Sequence, residues 1–169
     1  MSYTLHEFAA DIRAALTADP GPAGQEKVRL LTEKALGDSD FMAACFGVPA
    51  PKEREVLYED ADLGFAICRH VYTGAKDSGP HDHGPTWAIY GQAEGETDMT
   101  DWRIVTPPSG GKPGQVEKTR TYRLTPGVAH LYLAGDVHAP YRAGPTKLIR
   151  IEGRNTDKIS RTPLEAAAA

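Results

Sequence analysis

The chain has 169 residues, 40% of them hydrophobic, which is most simply one domain with a substantial core. Its formal net charge is −4, so it lacks the basic surface that is typical of proteins that bind nucleic acid. No apolar run approaches the roughly 20 residues that span a bilayer, and the first residues lack a signal-peptide pattern, so we expect a soluble, cytoplasmic protein.

Two helices are predicted before residue 53. Over residues 4–18 the apolar positions recur at helical spacing, and Thr4 with Glu7 forms a candidate capping box. A second helix is predicted from about residue 24 to residue 36, followed by a short turn with apolar residues. We expect residues 1–52 to form a helical segment that packs on the rest of the domain.

Residues 53–160 have the pattern of a series of short strands. Their apolar runs are separated by glycine, proline and polar residues that favour turns. The runs cover residues 54–59, 63–72, 86–94, 101–105, 118–124, 129–135 and 146–153. Strands of this length and spacing predict an antiparallel sandwich or barrel, so the expected fold class is mainly β. Residues 161–169 are predicted to be a C-terminal tail of the same structural domain.

Two histidines in the stretch SGPHDHGPTWAIY are candidate metal ligands. His81 and His83 are two residues apart, so in an extended segment both imidazoles point to the same side. His138 follows a turn at Gly135 and would supply a third imidazole from a distant part of the chain. Three histidines on one face leave open positions for substrate and dioxygen, an arrangement suited to non-haem Fe(II), although Zn, Ni or Mn also accept histidine ligands.

The stretch from His81 to the glycine-ended strand after it, with the later turn LAGDVH that ends at His138, resembles the two motifs of the cupin superfamily. A glutamate that binds metal in many cupins falls on Ala88 here. The cysteine dioxygenase-like branch also uses three histidines without that glutamate, and HDHG followed by TWAIYGQAEGE is similar to its bacterial members. The resemblance covers about residues 53–155 and implies a cupin double-stranded β-helix, a jelly-roll barrel, with an N-terminal helical segment.

The sequence departs from thiol dioxygenases on the strand after the last histidine. Those enzymes carry serine, histidine and tyrosine at alternate positions there, and Leu148, Arg150 and Glu152 occupy the matching places. If the isoleucines between them pack under the helices, Arg150 and Glu152 face the barrel interior. Arg150 would then bind a substrate carboxylate, while Glu152 orients Arg150 or acts as a base. Alternatively, the strand lies at a sheet edge and both charges are solvated.

Three further residues are candidates for the pocket. Tyr90 shares the parity of Ala88 and is expected to offer a hydrogen bond toward the metal. Arg54 lies on the strand that enters the barrel, near the place where thiol dioxygenases keep a carboxylate-binding arginine. Arg69 and His70 fall on opposite faces of one strand, so at most one of them points inward, and Arg69 is the candidate for substrate binding.

The residues and the resemblance together predict a metal-dependent oxidoreductase, an Fe(II) dioxygenase that acts on a small carboxylate-bearing substrate other than cysteine. Its catalytic candidates are Arg150, Glu152 and Tyr90. Two alternatives remain open: a Zn-, Ni- or Mn-dependent isomerase, hydrolase or lyase on the same three histidines, and a cupin that binds a small ligand without catalysis. The expected partners are a small-molecule substrate and dioxygen, with no nucleic acid and no membrane, and the chain is expected to be a monomer or a homodimer.

Overall fold

Three helices form the N-terminal part of the molecule, whose structure is a computed structural model that describes residues 2–168. The helices are α1 (Leu5–Ala18), α2 (Pro22–Leu36) and α3 (Ser39–Phe46). The predicted capping box begins α1: the Thr4 hydroxyl accepts from the backbone N–H of Glu7 at 3.1 Å, and the Glu7 carboxylate accepts from the backbone N–H of Thr4 at 2.8 Å. Within residues 2–168, no helix combines the length and apolarity needed to cross a bilayer.

The remainder of the described chain, up to residue 168, forms ten strands in two sheets. They are β1 (Arg54–Glu59), β2 (Ala66–Tyr72), β3 (Lys76–Asp77), β4 (Ala88–Glu94), β5 (Thr97–Thr106), β6 (Gly114–Leu124), β7 (Ala129–Tyr132), β8 (Val137–Arg142), β9 (Thr146–Glu152) and β10 (Leu164–Ala166). The strand orders are β1-β2-β9-β4-β7 and β10-β6-β5-β8-β3. The chain passes repeatedly from one sheet to the other, as in a double-stranded β-helix. The prediction of a mainly β jelly-roll with N-terminal helices is confirmed.

The first sheet separates two apolar clusters. One joins the helices to the outer face of the sheet, including Ile149 and Ile151 of β9. The other lies between the two sheets and includes Leu148, with residues from both sheets. Because side chains alternate along a strand, Arg150 and Glu152 also point between the sheets, where both are buried. The interior orientation of these two charges, predicted from parity, agrees with the structure, and the alternative of a solvated edge strand does not.

Three strands fall outside the predicted runs: β3, β8 and β10. In β8, Pro140 lacks a backbone N–H and so argues against a central strand, yet β8 lies between β5 and β3. In the expected C-terminal tail, β10 pairs in parallel with Gly114, Gln115 and Val116 of β6. Residues 164–166 are therefore an edge strand of the second sheet rather than a featureless tail.

Candidate metal centre

A single β-bridge joins the two chain segments that carry the histidines. The backbone N–H of His81 donates to the carbonyl of His138 at 3.0 Å, and that of His138 donates to the carbonyl of His81 at 2.9 Å. His138 is held on β8, which pairs with β5 on its other side. The H-x-H spacing was predicted to act within a strand, but only His81 is in extended pairing.

His83 lies in a loop that its neighbours fix. The Asp82 carboxylate is buried and accepts from the backbone N–H of Gly84 at 2.9 Å and of Thr162 at 3.0 Å. Gly84 has φ +58°, and a β-carbon there would lie 2.2 Å from the carbonyl oxygen of Ser160. Only glycine fits this conformation without displacing the neighbouring chain. The loop therefore presents His83 to the interior although no strand contains it.

The three imidazoles converge on one point. Their ligand atoms all lie within 4.8 Å of one another, and the Nε2 atoms of His83 and His138 are 3.1 Å apart. Metal–nitrogen bonds of about 2.1 Å at tetrahedral or octahedral angles separate ligand nitrogens by roughly 3.0 to 3.4 Å. The spacing of this pair therefore fits two ligands of one metal ion.

Hydrogen bonds at the opposite ring nitrogens set the tautomers. Nδ1 of His81 lies 2.9 Å from the carbonyl of Gly79, and Nδ1 of His138 lies 3.1 Å from the carbonyl of Asp136. A carbonyl can only accept, so both Nδ1 atoms carry hydrogen and both Nε2 lone pairs remain available to a metal. These acceptors are backbone groups rather than acidic side chains.

His83 has a different neighbour at Nδ1. The Nη2 atom of Arg150 lies 3.2 Å away, and because a guanidinium only donates, Nδ1 of His83 accepts and its hydrogen resides on Nε2. Ligation through Nε2 requires this hydrogen to move to Nδ1 and Arg150 to turn from the ring. Metal binding by His83 and the position of Arg150 are thus coupled.

Burial keeps all three histidines neutral. Desolvation lowers the pKa of His81 to about 4 and holds the pKa values of His83 and His138 well below their usual range, with further lowering from the positive charge of Arg150. Neutral imidazole is the form that binds metal, so protons do not compete for these nitrogens near neutral pH.

Tyr90 lies at the same point from the opposite sheet. Its hydroxyl is 3.2 Å from Nε2 of both His83 and His138, and its side chain is buried. Burial raises the pKa of Tyr90, so the phenol stays protonated. The sequence predicted by parity that Tyr90 points toward the histidines, and its hydroxyl lies beside two of them; its role as a hydrogen-bond donor to a metal-bound group stays a prediction.

Glu152 connects two of the predicted substrate-binding arginines. Its side chain is fully buried, with one carboxylate oxygen 3.0 Å from Nε of Arg150 and the other 2.8 Å from Nη2 of Arg54. The backbone N–H of Thr156 donates to it at 2.8 Å, and the Thr156 hydroxyl lies at 3.2 Å. Both oxygens are occupied, an arrangement that suits orientation of Arg150 better than proton abstraction.

An open cavity of about 660 Å³ adjoins the histidines. Of the predicted residues, its lining includes His81, Tyr90, Arg54 and Arg150. Arg142 is one of several lining residues that sequence analysis did not select. The sequence contained a signal for Arg142. It is four residues beyond His138, and residues four apart on a strand point to the same face.

Arg69 is not brought to this site. Its guanidinium lies 2.6 Å from the carboxylate of Glu55 and donates to the carbonyls of Cys45 and Val48, at the end of α3. Arg69 shares the helix-facing side of β2, and the cavity is instead lined by its neighbour His70. The expectation that Arg69 binds substrate does not fit this position.

A scan against protein-family models and a search of curated proteins found no match. Among solved structures, a cupin superfamily protein from Desulfitobacterium hafniense is similar at 13% identity over 64% of this chain and 84% of that chain, with a TM-score of 0.45. KdgF from Halomonas sp. is similar at 15% identity over 63% and 83% of the two chains, with a TM-score of 0.47. A double-stranded β-helix protein from Klebsiella pneumoniae is similar at 13% identity over 68% and 89%, with a TM-score of 0.48. Similarities this low assign neither a family nor an activity to the chain, and the cysteine dioxygenase-like branch stays a prediction.

Proposed function

We propose that the protein is an Fe(II)-dependent dioxygenase in which His81, His83 and His138 hold the metal and the adjoining cavity binds a small carboxylate-bearing substrate. The observation that supports this most is the close approach of three neutral imidazoles, one of which, His81, lines an open cavity, with Arg150 beside His83. These ligands also accept Zn, Ni or Mn. When bound, Fe(II) would supply the activation of dioxygen that no side chain can provide.

The side chains around the histidines favour an anionic substrate. The three ligands are neutral, so a divalent metal keeps its full positive charge, and Arg150 adds a further charge beside it. Arg150 is 7% exposed and is anchored through Glu152, so its guanidinium is held in the site before substrate arrives. We infer that Arg150 turns from His83 to bind the substrate carboxylate, while the protonated Tyr90 donates a hydrogen bond at the inner wall.

The choice of oxidation over isomerisation or elimination rests on the pairing of the carboxylates around the cavity. Those reactions need a general base close to the metal. Among the described residues that line the cavity, Asp157 pairs with Arg54 and Glu53 pairs with Lys76. Glu152 is engaged by two arginines as well. An oxidation that proceeds at iron has no such requirement.

Oxygen consumption tests this proposal. The protein would be loaded with Fe(II) under anaerobic conditions and exposed to oxygen with a panel of small thiol, hydroxy and keto carboxylates. We expect substrate-dependent oxygen uptake with one class of carboxylate, little or none with cysteine, and none when Zn replaces iron. Turnover by the Zn-loaded protein in the absence of oxygen would overturn the proposal in favour of a hydrolase, lyase or isomerase.

A further inference from the structure

Arg142 is a buried cation that forms no ion pair within residues 2–168. It lies at the end of β8 on the same face as His138, lines the cavity and is 2% exposed. Its Nε has no hydrogen-bond partner among the described residues, and the acidic group that influences it, Glu53, is itself paired with Lys76. Burial of an uncompensated guanidinium is costly, so a residue in this state is typical of a binding site for an anion.

A second buried donor lies beside Arg142. The guanidinium of Arg142 stacks over the ring of Tyr72, 4.5 Å from its centroid, and the Tyr72 hydroxyl is 3.1 Å from Nδ1 of His70. Either group can donate in this pair; in the tautomer in which the Tyr72 hydroxyl donates to Nδ1, the hydrogen of the neutral His70 ring resides on Nε2, which is buried and has no partner within residues 2–168. His70 and Arg142 thus offer unmet donors on either side of Tyr72, and both line the cavity.

The cavity therefore has two separate positions for negative charge. One is at Arg150, beside the histidines, and the other is at Arg142 and His70. Glu152 forms an ion pair with Arg150 at the first position, whereas no carboxylate of the described residues forms an ion pair with Arg142 at the second. A substrate with one carboxylate leaves one position unmet, and the volume of about 660 Å³ is ample for a longer molecule.

We propose that the substrate is a small dicarboxylate, with one carboxylate at Arg150 and the second at Arg142 and His70. This inference rests on the proposed function and specifies its substrate class. The second carboxylate would accept from the guanidinium of Arg142 and from Nε2 of His70. Such a pair of charge-assisted bonds meets donors that are otherwise buried and unsatisfied.

Calorimetric titration of the metal-loaded protein without oxygen tests the second carboxylate position, at Arg142 and His70. Succinate and glutarate would be compared with succinamate, which keeps the length of succinate but replaces one carboxylate by an amide. We expect the dicarboxylates to bind at least tenfold more tightly than succinamate. In Arg142→Met this preference should vanish, whereas Arg123→Met, which removes an exposed arginine paired with Asp98, should retain it.

Equal affinity of the wild-type protein for succinate and succinamate would overturn the dicarboxylate inference, and so would an unchanged preference in a folded Arg142→Met protein. The wild-type comparison decides the question even if that variant fails to fold, as circular dichroism would show. The binding measurement uses no oxygen, so it is separate from the test of oxygenase activity. A preference for dicarboxylates without oxygen uptake would contradict the proposed oxygenase function but not the dicarboxylate inference. Oxygen uptake without that preference would contradict the dicarboxylate inference but not the proposed function.

Discussion

Glu152 shows how one residue can organise the cavity. A fully buried carboxylate is stable only when its charge is met, and here Arg150, Arg54 and Thr156 meet it. The alternation of isoleucine with charged residues in β9 predicted that Glu152 faces inward. The sequence could not predict that Glu152 bridges two arginines, because Arg54 comes from β1, at the far edge of the sheet.

Replacing this carboxylate should destabilise the protein strongly. Glu152→Gln leaves two arginines without their shared negative charge, and breaking a buried ion pair costs about 3 kcal/mol or more. We expect a loss of that size in the free energy of unfolding, measured by urea denaturation. The control is Glu117→Gln, which breaks an exposed pair with Arg103 and should cost less than about 1 kcal/mol. Similar losses in the two variants would show that Glu152 does not carry this role.

Arg150 should separate anion binding from metal binding. Arg150→Met removes the guanidinium proposed to hold a carboxylate but no metal ligand. We expect the affinity for succinate, which is proposed to occupy both positions, to fall more than tenfold, since a charged hydrogen bond contributes about 1.5 to 3 kcal/mol, while bound metal is retained. Calorimetry and metal analysis of the same sample give both quantities. Normal succinate binding by this variant would argue against the assignment of Arg150.

At the scale of elements, the site is assembled by the loop that carries His83 and by strand β8, neither of which was predicted from the sequence. Pro140 argued against a strand at β8 because it lacks a backbone N–H, yet it lies opposite Met99 of β5 and its carbonyl accepts from the backbone N–H of Ser78. The H-x-H spacing predicted that the imidazoles of His81 and His83 lie close together, as they do, but from a strand geometry that only His81 adopts. The sequence did not decide whether Arg69 or His70 faces the cavity. Every residue from Ala66 to His70 is buried, so β2 lacks the alternation of buried and exposed residues that would identify its inner face.

The loop of His83 should depend on Gly84. In Gly84→Ala, the new β-carbon meets the carbonyl of Ser160, so the loop must move. Gly110→Ala is a matched control, because Gly110 also has φ +58° but has open space around it. Backbone strain should cost about 1 kcal/mol of stability in each variant, the collision with Ser160 should add to the cost of Gly84→Ala, and only Gly84→Ala should weaken metal binding. Retention of full metal affinity in Gly84→Ala would show that the loop conformation does not position His83.

For the whole molecule, buried neutral histidines make stability depend on pH. Burial holds the pKa of His70 well below its usual range, and the charges of Arg150, Arg54 and Arg142 lower it further. In the unfolded chain His70 takes up a proton below about pH 6.5, whereas in the folded protein it does not. The unfolded state then binds more protons, so stability is present above that pH and is lost as the pH falls below it.

The variant His70→Gln isolates this effect from the other histidines. Between pH 7.5 and 5.5 the wild-type protein should lose about 1 kcal/mol more unfolding free energy than the variant. Urea denaturation of both proteins at the two pH values gives the difference. An equal loss in both proteins would mean that His70 is protonated in the folded state.

Anaerobic equilibrium dialysis against Fe(II) tests the metal centre most directly. We predict one ion per chain in the wild-type protein and little or none in the alanine variants of His81, His83 and His138, with circular dichroism unchanged. His130→Ala, which removes a histidine stacked between Tyr122 and Tyr132, should keep full occupancy. Full occupancy in His138→Ala would contradict the assignment of the three histidines as the ligands.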